Sequence, residues 1–121
     1  NVIAASVRTV TFEAIAMGIK NGLRLKTCAE VLAKGSARSY STEITLPRLL
    51  SGNAQASFTL GLMHKDVRLA TELGVASGSP MVVSGVVREL FRTALNEQGA
   101  DADVNTMIRL FERQSKVKVV P

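Results

Sequence analysis

The sequence predicts one all-α domain of about six helices, and three observations carry that prediction. Apolar residues recur at three- and four-residue steps through most of the chain. Glycines and prolines fall between those periodic runs, at Gly22, Gly35, Gly52, Gly78-Ser79-Pro80 and Gly99, so each run is closed by a residue that stops a helix. The composition is rich in small and aliphatic residues, with four Phe, one Tyr, no Trp and three Pro, which favours close helix packing over a sheet of aromatic and β-branched pairs. With 121 residues, 46% of them hydrophobic, the chain can bury a core of its own.

The first helix is expected over residues 2–21, with Ile3, Val7, Val10, Ala14 and Met17 as its buried stripe and Glu13 and Lys20 off it. Asn21-Gly22 ends it, since both residue types tolerate the left-handed conformation that closes a helix. The chain starts on Asn1 inside a helix already under way, so it reads as a fragment. Thr27 is the expected N-cap of a second helix over 28–34, with Glu30 completing a capping box and Gly35 stopping it. Residues 35–41 form a polar loop, either a plain connector or a rim whose hydroxyls and Arg38 face an anion. A short helix or turn around 42–50 is interrupted or started by Pro47.

The organising stretch is 57–78, where Leu60, Met63, Val67, Ala70 and Leu73/Gly74 form one apolar stripe. Phe58, His64, Lys65 and Asp66 add an aromatic and three titratable groups beside it. Phe58 and Asp66 are eight residues apart, so a continuous helix would turn them to roughly the same side, as in the wall of a pocket. Pro80 then opens a core helix over 81–96 whose wide buried face is Val83, Val86, Val87, Leu90, Phe91, Ala94 and Leu95. Gly99 stops it, Asp101 or Asp103 caps the last helix, and Val104, Met107, Ile108, Leu110 and Phe111 continue the core. The basic tail from Ser115 is expected to fray.

Several function classes are disfavoured by what the chain lacks. The net charge is +5, but the cations are scattered and no aromatics interleave with them, so nucleic-acid binding is not expected. One cysteine, Cys28, rules out an internal disulfide and a cysteine cluster for zinc, and one histidine, His64, leaves no imidazole set for a metal. His64 reads as a surface or hydrogen-bonding residue. There is no signal-peptide plan, no uninterrupted apolar run of spanning length, no P-loop and no glycine-rich dinucleotide turn. No complete active site is written in these residues.

Their order nevertheless resembles a family. Asn1, then Glu13-Ala14, then Phe58 with Lys65-Asp66, Pro80 opening a core helix, and Gly99 followed by Asp103 together resemble the C-terminal domain of the β-hydroxyacid dehydrogenases. That family includes 3-hydroxyisobutyrate dehydrogenase, tartronate semialdehyde reductase, L-threonate dehydrogenase and the glyoxylate/succinic semialdehyde reductases. The resemblance spans essentially the whole chain and implies a 6-phosphogluconate dehydrogenase C-terminal-domain-like fold following a Rossmann domain. It implies NAD or NADP as cofactor, bound mainly by that N-terminal domain, and a small hydroxyacid or its semialdehyde as substrate. Asn1 corresponds to the family's substrate-holding Asn, four residues after a catalytic Lys that would lie upstream. Lys65 corresponds to the Lys that reaches the cofactor, and Phe58 and Asp66 to pocket residues beside the nicotinamide and the catalytic Lys. The same resemblance implies a cytoplasmic dimer or tetramer assembled through helices. The other reading left open is a stand-alone, non-catalytic helical interaction module.

Overall fold

The computed structural model describes residues 1–120, and among them it contains six α-helices and no named strand. These are α1 (Val2–Lys20), α2 (Leu25–Leu32), α3 (Leu46–Ser51), α4 (Leu60–Ala76), α5 (Val82–Gln98) and α6 (Ile108–Ser115). A π-helical turn, Ser41–Thr45, leads directly into α3, and a 3₁₀ turn, Val104–Met107, leads into α6. The expected class and helix number are therefore found. The central element is α1, which packs against α2, the π turn, α4, α5 and α6.

The buried side of α1 is not the expected one. Ala5, Phe12, Ile15 and Ala16 face the core together with Arg8 and Thr9, whereas Ile3, Val10 and Met17 are 76%, 59% and 59% exposed. The helix is apolar on nearly all sides, so periodicity locates the helix without selecting its inner face. By length and hydropathy it would also pass as a membrane span, but 44% of that window is buried inside the bundle. The same correction applies to α5, where Val87, Phe91 and Ala94 are buried while Val83 and Val86 stay exposed.

Local signals set most helix ends. Gly22, Gly52, Gly78 and Gly99 all have positive φ, the conformation in which a Cβ is strained. Helix α2 departs from expectation: it starts at Leu25, its N-cap is Arg24 without a side-chain bond, and Thr27 lies inside it. Burial of Leu25 against the core stabilises those earlier turns more than a capping box at Thr27 would. Pro80 lies just outside α5, whose N-cap is Met81. As far as Val120 the tail does not fray as expected either, because Oε1 of Glu112 accepts from the Val119 and Val120 amides at 2.7 and 2.9 Å, and Val119 is buried; Pro121 lies outside the described residues.

One non-local contact fixes the entry to α4. The Leu60 and Gly61 amides donate to the Ala102 and Ala100 carbonyls at 2.8 and 2.9 Å, and the Val104 amide donates to the Phe58 carbonyl at 2.8 Å. Asp103 completes the clasp, its Oδ2 accepting from the Ala56 amide at 2.7 Å and its Oδ1 from the Asn105 amide at 2.9 Å. The backbone approach is close enough that a Cβ on Gly61 would sit 3.0 Å from the Ala100 carbonyl oxygen. Glycine is needed there for packing, not for its φ.

Candidate functional site

Helix α4 begins at Leu60, so Phe58 is not on a helix shared with Asp66 as the sequence spacing implies. Thr59 is the N-cap, its hydroxyl accepting from the Leu62 amide at 3.1 Å, and Ser57 before it holds a φ of 57°. The clasp at Asp103, rather than helical periodicity, presents the Phe58 ring. That ring lines a cavity of about 330 Å³ together with Asn1, Ala4, Arg8, Tyr40 and Met63.

Asn1 joins that cavity to the charged start of α4. Its side-chain Nδ2 donates to Oδ2 of Asp66 at 2.7 Å, and Nζ of Lys65 lies 3.4 Å from Oδ1 of the same carboxylate. The hydrogen bond from Asn1, and secondarily the Lys65 ammonium, hold the Asp66 carboxyl below the usual carboxylate range. The Lys65 side chain is half exposed, with Asp66 as its one ion-pair partner among the described residues, so its ammonium can meet a further anion. Asn1, Lys65 and Asp66 thus form one contiguous group, and Phe58 borders the same hollow as Asn1.

Two other residues of that stretch behave differently. His64 is buried, contrary to a surface placement, and it faces Arg92, Arg68, Arg88 and Glu89 instead of the Asn1 cavity. Burial, reinforced by the arginines, pushes its pKa down, so the imidazole is neutral near pH 7. Cys28 is partly buried against the core, and burial pushes its thiol pKa up. Among the described residues no three His, Cys, Asp or Glu side chains gather to hold a metal.

The sequence reading missed Arg8 and Tyr40. Arg38, the guanidinium expected at the loop rim, is exposed and lines neither the Phe58 cavity nor the hollow beside residues 39–41. Arg8 instead projects from the buried side of α1, with Ser39, Tyr40 and Ser41 beside it in a second hollow of about 370 Å³. A signal was available: Arg8 lies between Ala5 and Phe12, three and four residues away on the same helix face.

Residues 1–111 match the family model described as the NAD-binding segment of NADP-dependent 3-hydroxyisobutyrate dehydrogenase. The chain belongs to the 3-hydroxyisobutyrate dehydrogenase family. Among relatives, it is 32% identical over 119 residues to the NAD-dependent L-serine dehydrogenase of Pseudomonas aeruginosa, covering 93% of this chain and 40% of that protein. It is 30% identical over 108 residues to the 2-(hydroxymethyl)glutarate dehydrogenase of Eubacterium barkeri, covering 88% of this chain and 36% of the relative. The chain therefore spans well under half the length of these family members. The solved structure of Psf3 in complex with NADP+ and 2-OPP shares the fold at a TM-score of 0.76 and 27% identity, covering 91% of this chain and 39% of that one. Across the 3-hydroxyisobutyrate dehydrogenase family, the segment is thus associated with nicotinamide cofactors.

Proposed function

We propose that this chain is the C-terminal substrate-binding and dimerisation domain of an NAD(P)-dependent oxidoreductase that acts on a small β-hydroxyacid or its semialdehyde. The single observation that carries the reading is the Asn1–Asp66–Lys65 group at the edge of the cavity walled by Phe58, within a chain of this family. NAD(P) supplies the hydride acceptor or donor when bound. The dinucleotide-binding domain and the proton-transferring lysine that the family implies are assigned to protein outside these residues, so the domain is not competent alone.

The residues present fit such a cofactor and substrate. Lys65 offers an exposed cation to an anionic or amide group of the cofactor, and Asp66 limits where its ammonium can swing. Phe58 offers an apolar wall for a flat ring and keeps water from one side of the cavity. Asn1 has one N–H committed to Asp66, which fixes the amide and leaves its carbonyl oxygen and second N–H for a substrate hydroxyl or carboxylate. The deciding assay is oxidation of 3-hydroxyisobutyrate, L-serine and 2-(hydroxymethyl)glutarate by the full-length protein with NAD and with NADP. Turnover of at least one is expected; silence across the panel with both cofactors would leave a non-catalytic helical module as the reading.

The dimerisation role is supported by an apolar groove of about 470 Å³ between α1 and α5, lined by Val7, Val10, Val82, Val83, Val86 and Leu90. Four of these valines, Val10, Val82, Val83 and Val86, are more than half exposed in the single chain. Val83→Asp is expected to shift the full-length protein toward a smaller species in sedimentation velocity, by placing a charge in an apolar contact. An unchanged sedimentation coefficient would remove this face from the assembly.

A further inference from the structure

Among the described residues, Arg8 is the one cation that folding buries without compensating. The residue is 5% exposed, and its Nε and Nη1 are sealed from solvent with no hydrogen-bond partner. Tyr40 and Asp103 act on it electrostatically, and neither hydrogen-bonds it. The Asp103 carboxylate is already committed, one oxygen to the Ala56 amide and the other to the Asn105 amide. A guanidinium with two of its three nitrogens sealed and unpaired carries an uncompensated desolvation penalty, and an apolar side chain at this point of α1 would pack beside Ala5 and Phe12 without it. Such a cost persists where a bound state compensates it.

The surroundings identify what would compensate. Arg8 lines both hollows, and they also share Asn1, Ala4 and Tyr40 as walls. Tyr40 is 58% exposed and walls both hollows, so a turn of its ring would open a path between them to Arg8 without disturbing the core. Asn1 and Arg8 are seven residues apart on α1, about 10 Å along its axis at roughly 1.5 Å per residue. A five-carbon chain held at Asn1 by one end brings its far end within the reach of an arginine side chain. A planar fork of N–H donors set among mostly apolar walls matches a carboxylate better than any neutral group.

We propose that Arg8 is a specificity-determining residue that binds the second carboxylate of a dicarboxylic ligand lying between Asn1 and the Tyr40 wall. The inference deepens the hydroxyacid reading above and rests on it for the position of the first carboxylate. It makes the preferred substrate class hydroxydicarboxylates of about five carbons rather than monocarboxylates.

The test is calorimetric binding of glutarate and of butyrate to the full-length protein, with and without NADP, for the wild type, Arg8→Met and Arg8→Lys. Glutarate is expected to bind about tenfold or more tightly than butyrate in the wild type, as one buried charge-assisted pair implies. Arg8→Met should abolish that preference while leaving butyrate affinity within about twofold, and Arg8→Lys should keep part of it. The thermal midpoint of Arg8→Met should be equal or higher, since an unpaired buried charge is removed. Equal glutarate affinity in wild type and Arg8→Met overturns the proposal. So does a sharply lowered midpoint in Arg8→Met with no glutarate binding in the wild type, which would mean that a carboxylate elsewhere in the protein already pairs with Arg8. The two readings fail separately: turnover of monocarboxylic hydroxyacids without glutarate binding removes the Arg8 site alone. Arg8-dependent glutarate binding without turnover of any hydroxyacid removes the dehydrogenase reading alone.

Discussion

Replacing Asp103 by Ala is expected to destabilise the fold by about 3–6 kcal/mol, from the loss of two charge-assisted bonds to backbone amides at roughly 1.5–3 kcal/mol each. The two bonds are those to Ala56 and Asn105, at 2.7 and 2.9 Å, and no other acceptor meets these amides among the described residues. The effect should extend beyond stability. The Asp103 carboxylate holds the Ala56 amide two residues before Phe58, so its loss loosens the segment that aims Phe58 at the cavity while the backbone bridge between Asp103 and Thr59 stays in place. Asp103→Asn keeps one acceptor and should recover about half of the loss. Urea unfolding of the three proteins measures the energies, and hydrogen exchange at the Ala56 and Asn105 amides localises them. A loss below about 1 kcal/mol for Asp103→Ala, or equal values for Ala and Asn, would show that the loop is held by its backbone bonds alone.

Under the dehydrogenase function proposed above, Lys65→Ala is expected to raise the cofactor KM of the full-length protein about tenfold to a hundredfold with little change in kcat. One charge-assisted contact to the bound cofactor is worth roughly 1.5–3 kcal/mol, and every 1.4 kcal/mol is a factor of about ten. The group is well suited to a separable test. Its side chain is half exposed and its pairing with Asp66 is a surface one, so stability should change by less than about 1 kcal/mol. Lys65→Arg keeps the charge and should recover much of the affinity. A fall in kcat with KM unchanged would instead place Lys65 at the reacting atoms, and no change in either would reduce Lys65-Asp66 to a solvated pair.

The helices themselves are legible in the sequence because their signals are local. A run of apolar residues at helical spacing, a Gly that adopts positive φ, and a Pro at a boundary act within a few residues of where they stand, so the six helices and most of their stops follow from reading along the chain. The adjacency of Lys65 and Asp66 is likewise local. Asn1 beside them is not: it lies 65 residues away, and only the family resemblance brought it into the site before the packing of α1 against α4 did.

What tertiary structure alone decided is which side of each helix faces inward. Val10 and Phe12 are equally apolar positions in a helix that is apolar nearly all round, yet one is 59% exposed and the other fully buried. The choice depends on the shapes of α4, α5 and α6 closing around α1, which no window of eighteen residues contains. The same closure buries Arg8 with its guanidinium unpaired, and the same non-local packing lets Asp103 hold Phe58 where helical spacing could not. The sequence by itself determined the helices, their stops and the charged pair on α4; the packing determined the cavity, because burial belongs to contacts between segments far apart in the chain.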